Sequence, residues 1–168
     1  MILRNGRYRT FVVAALAAVS LGGCKVSEGT TGAKQNVVKE TISISSQDDF
    51  NRYTERVLLR QNYLVYRQES SSEFYLETDW KIRLPTETEL ARGISEARTK
   101  VILRGRPYMR GEYSQTPLFT ILFEGITEYR KAGAQEWIML EYDESGREII
   151  KKVAFELKSE MAGRRYDL

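Results

Sequence analysis

Phe74-Tyr75-Leu76-Glu77-Thr78-Asp79-Trp80-Lys81-Ile82-Arg83-Leu84 is the most regular alternation in the chain. Phe74, Leu76, Thr78, Trp80, Ile82 and Leu84 fall on one side; Tyr75, Glu77, Asp79, Lys81 and Arg83 fall on the other. Successive side chains of a strand point to opposite faces, so the stretch reads as one half-buried strand with its charged face in water, as antiparallel sheets permit. On this reading Phe74 and Trp80 belong to the core. Pro85 ends the element, because proline cannot donate to a ladder.

Working upstream, Ser70-Ser71-Ser72 reads as a turn that joins a strand at Tyr63–Arg67 to this one as a hairpin. Before it, Phe50, Tyr53, Val57 and Leu58 recur at helical spacing through Arg60. Ser46 is placed to cap that helix, Asp48 and Asp49 suit the positive end of its dipole, and Asn62 suits a left-handed stop. Val38 and Thr41 to Ser45 read as an earlier strand, with Ile42 and Ile44 on one face.

Downstream, Thr86–Glu96 reads as a loop holding one helical turn. Ala97, Thr99, Val101 and Leu103 form the inward face of a strand that ends at Gly105–Pro107. Leu118–Glu128 is apolar on both faces at its start, which predicts a central strand or one beneath a helix. Trp137–Tyr142 is open between strand and loop. Ile149, Val153, Leu157 and Met161, with Ile150 and Ala154 beside them, form the stripe of a helix of about four turns. Ser145 and Glu148 fit its capping box; the competing reading makes Ser145-Gly146 a hairpin turn. The sum is an α+β fold: an antiparallel sheet of about four to five strands with two helices packed on one face.

The chain contains no histidine, which excludes Ser-His-Asp and Cys-His nucleophilic machinery and removes the commonest metal ligand. Neither a zinc spacing nor a phosphate loop is present. Glu77 and Asp79 are the obvious carboxylate pair, two apart on a strand, but Lys81 and Arg83 continue the same face, so a solvated strand face is the better reading. We therefore expect no enzymatic activity, no catalytic residue, no metal and no cofactor. Arg98, Lys100, Arg104, Arg106 and Arg110 form a basic run with no acid before Glu112. Two readings stay open for it: an interaction surface for lipid headgroups, phosphates or an acidic partner, or simply the outward positions of one strand. Tyr108, Tyr113, Phe119 and Trp137 stand as possible contact aromatics.

The amino terminus decides location. Arg4, Arg7 and Arg9 precede an apolar run from Phe11 to Leu21, about half the ~20 residues a spanning helix needs. The run ends at Leu21-Gly22-Gly23-Cys24, which resembles the lipobox of bacterial lipoproteins. That resemblance implies a signal peptide over residues 1–23, cleavage before Cys24, and diacylglycerol and acyl chains on Cys24. Cys24 is the only cysteine, so no internal disulfide competes for it. Residues 24–36 read as a polar, flexible tether and 37–168 as a single domain.

Removing three arginines and no acid turns 26 Lys plus Arg against 23 Asp plus Glu into 23 against 23. The mature protein is formally neutral, and nucleic acid is not an expected partner. Lys25, following the lipidated position, points to the outer membrane, with the domain facing the periplasm.

The block Asp48–Arg83, a helix ending Arg60-Gln61-Asn62-Tyr63 and then Phe74 to Trp80, resembles in topology the small envelope lipoproteins of the BamC type. The order strand, helix, sheet, closing helix is similar to that of LptE-type lipoproteins. Both resemblances imply an accessory or scaffolding role in the envelope through contact with a protein partner. The rival expectation is a carrier that holds a lipid or other apolar ligand between helices and sheet.

Overall fold

Two fourteen-residue strands, β5 (Ile94–Pro107) and β6 (Leu118–Lys131), pair antiparallel along almost their whole length and form the centre of the sheet. The computed structural model describes residues 36–70, 73–108 and 117–162, all within one compact unit, Gly32–Leu168. Residues 1–35, which include Cys24 and the stretches read as signal and tether, lie outside the described residues, as does Arg110. The remaining elements are β1 (Val37–Ser46), α1 (Gln47–Arg60), β2 (Val65–Ser70), β3 (Phe74–Thr78), β4 (Lys81–Arg83), α2 (Glu87–Ala91) and α3 (Glu144–Ala162). The sheet order is β1-β6-β5-β3-β2, with β4 also on β5, and every pairing is antiparallel.

The fold is thus α+β on an antiparallel sheet, with six strands and three helices among the described residues rather than four to five and two. Thr86–Glu96 holds both a helix and the start of β5. Thr86 closes a capping box on α2: its hydroxyl accepts from the Glu89 N–H while the Glu89 carboxylate accepts from the Thr86 N–H at 2.8 Å. At α1 the local signals hold. Ser46 accepts from the Asp49 N–H, Phe50, Tyr53, Val57 and Leu58 are buried, and Asn62 sits at φ 55°. Residues 65–70 pair with β3 as the expected hairpin, although the strand starts two residues later than Tyr63.

The long alternation breaks in the middle. Phe74 pairs with Gly105 and Glu77 with Ile102, but Lys81 pairs with Thr99 and Arg83 with Ala97, so the register slips by one residue between β3 and β4. A one-residue slip moves every later side chain to the other face. Phe74, Leu76 and Thr78 are buried, whereas Ile82 is 66% and Leu84 88% exposed. Trp80 is therefore not core, and Lys81 and Arg83 turn toward the helices instead of continuing the face of Glu77. The Thr78 hydroxyl helps fix this break by accepting from the Val101 N–H at 3.0 Å. A similar slip between Thr41 and Ser43 separates Ile42, which is buried, from Ile44, which is opposite Thr120.

α1 and α3 cover one face of the sheet and run antiparallel, since Arg56 meets Glu160 and Arg60 meets Glu156. Between them and the sheet the space is filled: Phe50 stacks on Phe74 at 5.4 Å, Phe74 meets Phe119 at 3.9 Å, and Val57, Leu58, Val101, Ile121, Ile150 and Leu157 are inaccessible. Gly125 is where α3 closes on the sheet, because a Cβ there would lie 2.2 Å from Ile150 Cγ2. α3 begins at Glu144, one residue after Asp143, whose carboxylate accepts from the Gly146 N–H at 2.7 Å. Asp143, not Ser145, is its cap, and Ser145-Gly146 lies inside the helix rather than in a hairpin turn. Of Trp137–Tyr142, only Ile138 joins the sheet, exchanging both main-chain hydrogen bonds with Tyr129. No helix among the described residues is long and apolar enough to cross a membrane.

Candidate functional site

The sheet face turned away from α1 and α3 carries a row of alternating cations and aromatic rings. Register puts Arg98, Lys100, Ile102, Arg104 and Arg106 of β5 on this face, opposite Glu128, Ile126, Glu124, Leu122 and Thr120 of β6. The slip after β3 brings Trp80 onto the same face, and the Ile138 bridge brings Trp137 in from the other side of β6.

Arg98 lies between the two indoles, its guanidinium carbon 4.4 Å from each ring centre. Lys100 Nζ stands 4.8 Å from the Trp80 ring centre, and the Arg130 guanidinium carbon 4.9 Å from that of Trp137. The row reads Lys100, Trp80, Arg98, Trp137, Arg130. Flat guanidinium groups stack on indole faces, each contact being worth about 0.5–1 kcal/mol where exposed and ~2 kcal/mol where desolvated.

Each cation of the row also has a carboxylate. Arg98 Nε donates to Glu128 at 2.8 Å, Lys100 Nζ to Glu77 at 2.6 Å, and Arg130 to Glu96. The Lys100 bond and a 2.6 Å bond from the Tyr75 hydroxyl hold Glu77 below the usual carboxylate range. Glu77 is thus a structural anion, and Asp79, exposed beyond the end of β3, does not join it. The carboxylate pair read from the sequence is not brought together for acid–base work.

The five-residue basic run divides accordingly. Arg98 and Lys100 are fixed in the row. Arg104 lies over the Tyr75 ring at 5.3 Å and, like Arg106, makes no ion pair among the described residues. These two line a shallow depression of about 550 Å³ with Lys39, Leu122 and Glu124. Arg110 lies outside the described residues. The role of Trp80 was hidden in the sequence because its alternation matched the core; the cue was the paired Asp79-Trp80, where β-strand hydrogen bonding stops.

A second polar cluster sits on the opposite face of the sheet, under α2. Arg83 donates twice to Glu89, at 2.7 and 2.6 Å, with Glu89 0% and Arg83 10% exposed. Burial alone would raise the Glu89 pKa, but Arg83 and the Thr86 N–H bring it below the usual carboxylate value. The Tyr129 hydroxyl reaches the same place, and burial followed by the Glu89 charge pushes it well above an ordinary phenol. Gly146 closes the cluster: a Cβ there would lie 2.7 Å from both Asp143 Oδ1 and Glu89 Oε1 and 3.2 Å from Tyr129 Oη. The cluster pins α2, β4 and the start of α3 together. Within it the Arg83 fork and the Glu89 carboxylate satisfy each other, while Arg83 Nε and the Tyr129 hydroxyl are buried without a hydrogen-bond partner among the described residues.

No family model and no curated protein matches the chain. Among solved structures it is similar to the uncharacterized conserved protein YugN from Geobacillus kaustophilus HTA426, at 12% identity and a TM-score of 0.38, over 72% of this chain and 87% of that one. A likeness of that degree carries no argument about function, which rests on this chain's own residues.

Proposed function

We propose that the protein is an envelope lipoprotein, anchored through lipid on Cys24, whose domain works without catalysis as an accessory or scaffold by holding a protein partner on its open sheet face. The observation that carries the reading is the row from Lys100 to Arg130. Tryptophan and arginine dominate binding hot spots, and here both are already fixed by stacking and by carboxylates, so docking orders little that was free. Ile82 sits opposite Arg98 and is 66% exposed, and Met139, two residues from Trp137, is 59% exposed; such apolar side chains beside a rigid row suit a partner better than water.

The carrier reading is weaker, because phenylalanines and aliphatic side chains already occupy the space between helices and sheet that a ligand would need. The anchor places the domain at the bilayer, and Lys25 favours the outer membrane with the domain facing the periplasm.

Affinity purification from solubilised envelopes tests the proposal with wild type, Cys24→Ala and Trp80→Ala/Trp137→Ala side by side. An envelope protein should co-purify with the wild type and be lost from the double tryptophan variant. Lipid labelling and membrane association should be lost from Cys24→Ala. Recovery of the same proteins by wild type and tryptophan variant would overturn the partner face; unchanged labelling of Cys24→Ala would overturn the anchor.

A further inference from the structure

The sheet edge formed by β1 is basic on both sides. On the sheet side, the depression lined by Arg104, Arg106 and Lys39 reaches Glu40. On the helix side, a second depression of about 510 Å³ reaches Glu40 from the other direction, lined by Lys151, Lys152 and Lys158 of α3. Together the two linings hold six cations against the carboxylates of Glu40, Glu124 and Glu148, in a mature chain that is balanced overall. The excess resides in Arg104, Arg106 and Lys152, which make no ion pair among the described residues, whereas Lys39, Lys151 and Lys158 bond Glu124, Glu148 and Glu40.

In the middle of the helix-side lysines stands Phe155, 68% exposed and one helical turn from Lys151, Lys152 and Lys158. Nothing in the core explains an outward phenylalanine there, since the buried stripe of α3 is Ile150, Val153, Ala154, Leu157 and Met161. An aromatic ring among basic side chains is the chemistry of a protein surface that rests in the headgroup region of an anionic bilayer.

Chain connectivity points the same way. β1 starts at Val37, and only eleven residues, Lys25 to Gln35, separate Cys24 from the first described residue. Even fully extended, a segment of that length spans at most roughly 40 Å. A lipid on Cys24 would keep the β1 edge close to the membrane and leave the surface potential to select the side presented, since it acts within about a Debye length.

We infer that the β1 edge, with Phe155 and the basic residues on either side of it, lies on an anionic phospholipid surface and orients the domain. The inference rests on the lipid-anchor reading but is testable without the anchor.

The test uses residues 32–168, the unit that holds the whole core, made without signal or cysteine. Co-sedimentation is measured with vesicles of phosphatidylcholine alone and of phosphatidylcholine with phosphatidylglycerol. Binding should require phosphatidylglycerol and fall with salt. Each cation removed should lower partition about fivefold, so Arg104→Glu/Arg106→Glu and Lys151→Glu/Lys152→Glu should each weaken it by more than about tenfold. Phe155→Ser should weaken it with the charge unchanged. Arg67→Glu/Arg92→Glu, an equal reversal away from β1, should leave it as it was. Absence of binding, equal binding to neutral vesicles, or equal loss in the Arg67/Arg92 variant would overturn the inference. Circular dichroism of each variant separates lost docking from lost folding. Lipid labelling of Cys24 is read independently, so failure of the docking edge and failure of the anchor are distinguishable.

Discussion

Arg83 of β4 and Arg98 of β5 belong to one short stretch of ladder, in which Ile82 pairs with Arg98 and Arg83 with Ala97. Each is bonded to a glutamate, and the slip after Thr78 sends them to opposite faces. Arg83 faces the helices, 10% exposed, with Glu89 wholly buried. Arg98 faces outward, 24% exposed, with Glu128 at 15% and an indole on either side. The same pair of residue types therefore does two jobs. Beneath the helices it locks α2 and α3 to the sheet, and removing one partner leaves a charge without water. On the open face it stiffens a surface that still touches solvent.

Glu89→Ala separates the two most sharply. It strands Arg83 in the interior and should cost about 3–5 kcal/mol in denaturant unfolding. A loss no larger than that of a surface pair would show that the cluster is not closed. The same bond sets an acid dependence. Glu89 and Asp143 are both held below their ordinary pKa, so their stabilisation is full above the unfolded-state carboxylate value and is lost as pH falls through the lower, folded value. Wild type should lose stability in acid below the usual carboxylate range. Glu89→Gln, tested in the same buffers, should lose less there.

Gly146→Ala tests the cluster from the helix side. Its Cβ would press on Asp143, the α3 cap, and on Glu89 together, an overpacking that should cost about 1–3 kcal/mol although alanine favours helices generally. A stabilised variant would mean the three groups do not converge. The smallest effect is expected on the open face. Trp137→Ala removes stacking from Arg98 and Arg130 and should cost about 1–2 kcal/mol in stability, with its main effect on partner recovery. A loss as large as that of Glu89→Ala would make the row a folding element and erase the contrast.

Much of this arrangement is readable locally. The three- and four-residue spacing in α1, the Ser46 cap, the Asn62 stop and the central position of β6 are present in short windows, because each depends on the conformation of a few neighbouring residues. The α3 stripe is also legible, but its start is not. Asp143 and Ser145 are both good caps, and Asp143 takes the place within a network of Thr86 and Thr88 from α2, more than fifty residues earlier. The candidate site was legible only in composition. Five basic residues stand out in the run, but which of them are neutralised depends on Glu77 and Glu128, more than twenty residues away.

Residue order alone determined α1, the apolar stripe of α3, the strand-rich centre, the lack of any histidine and the lipobox-like Cys24, since each is written in adjacent residues. Tertiary structure decided which face Trp80, Arg83 and Arg98 occupy. The period of a strand is two, so one unpaired residue inverts everything after it, and whether a residue stays unpaired is settled by the partner strand and not by the sequence around the slip.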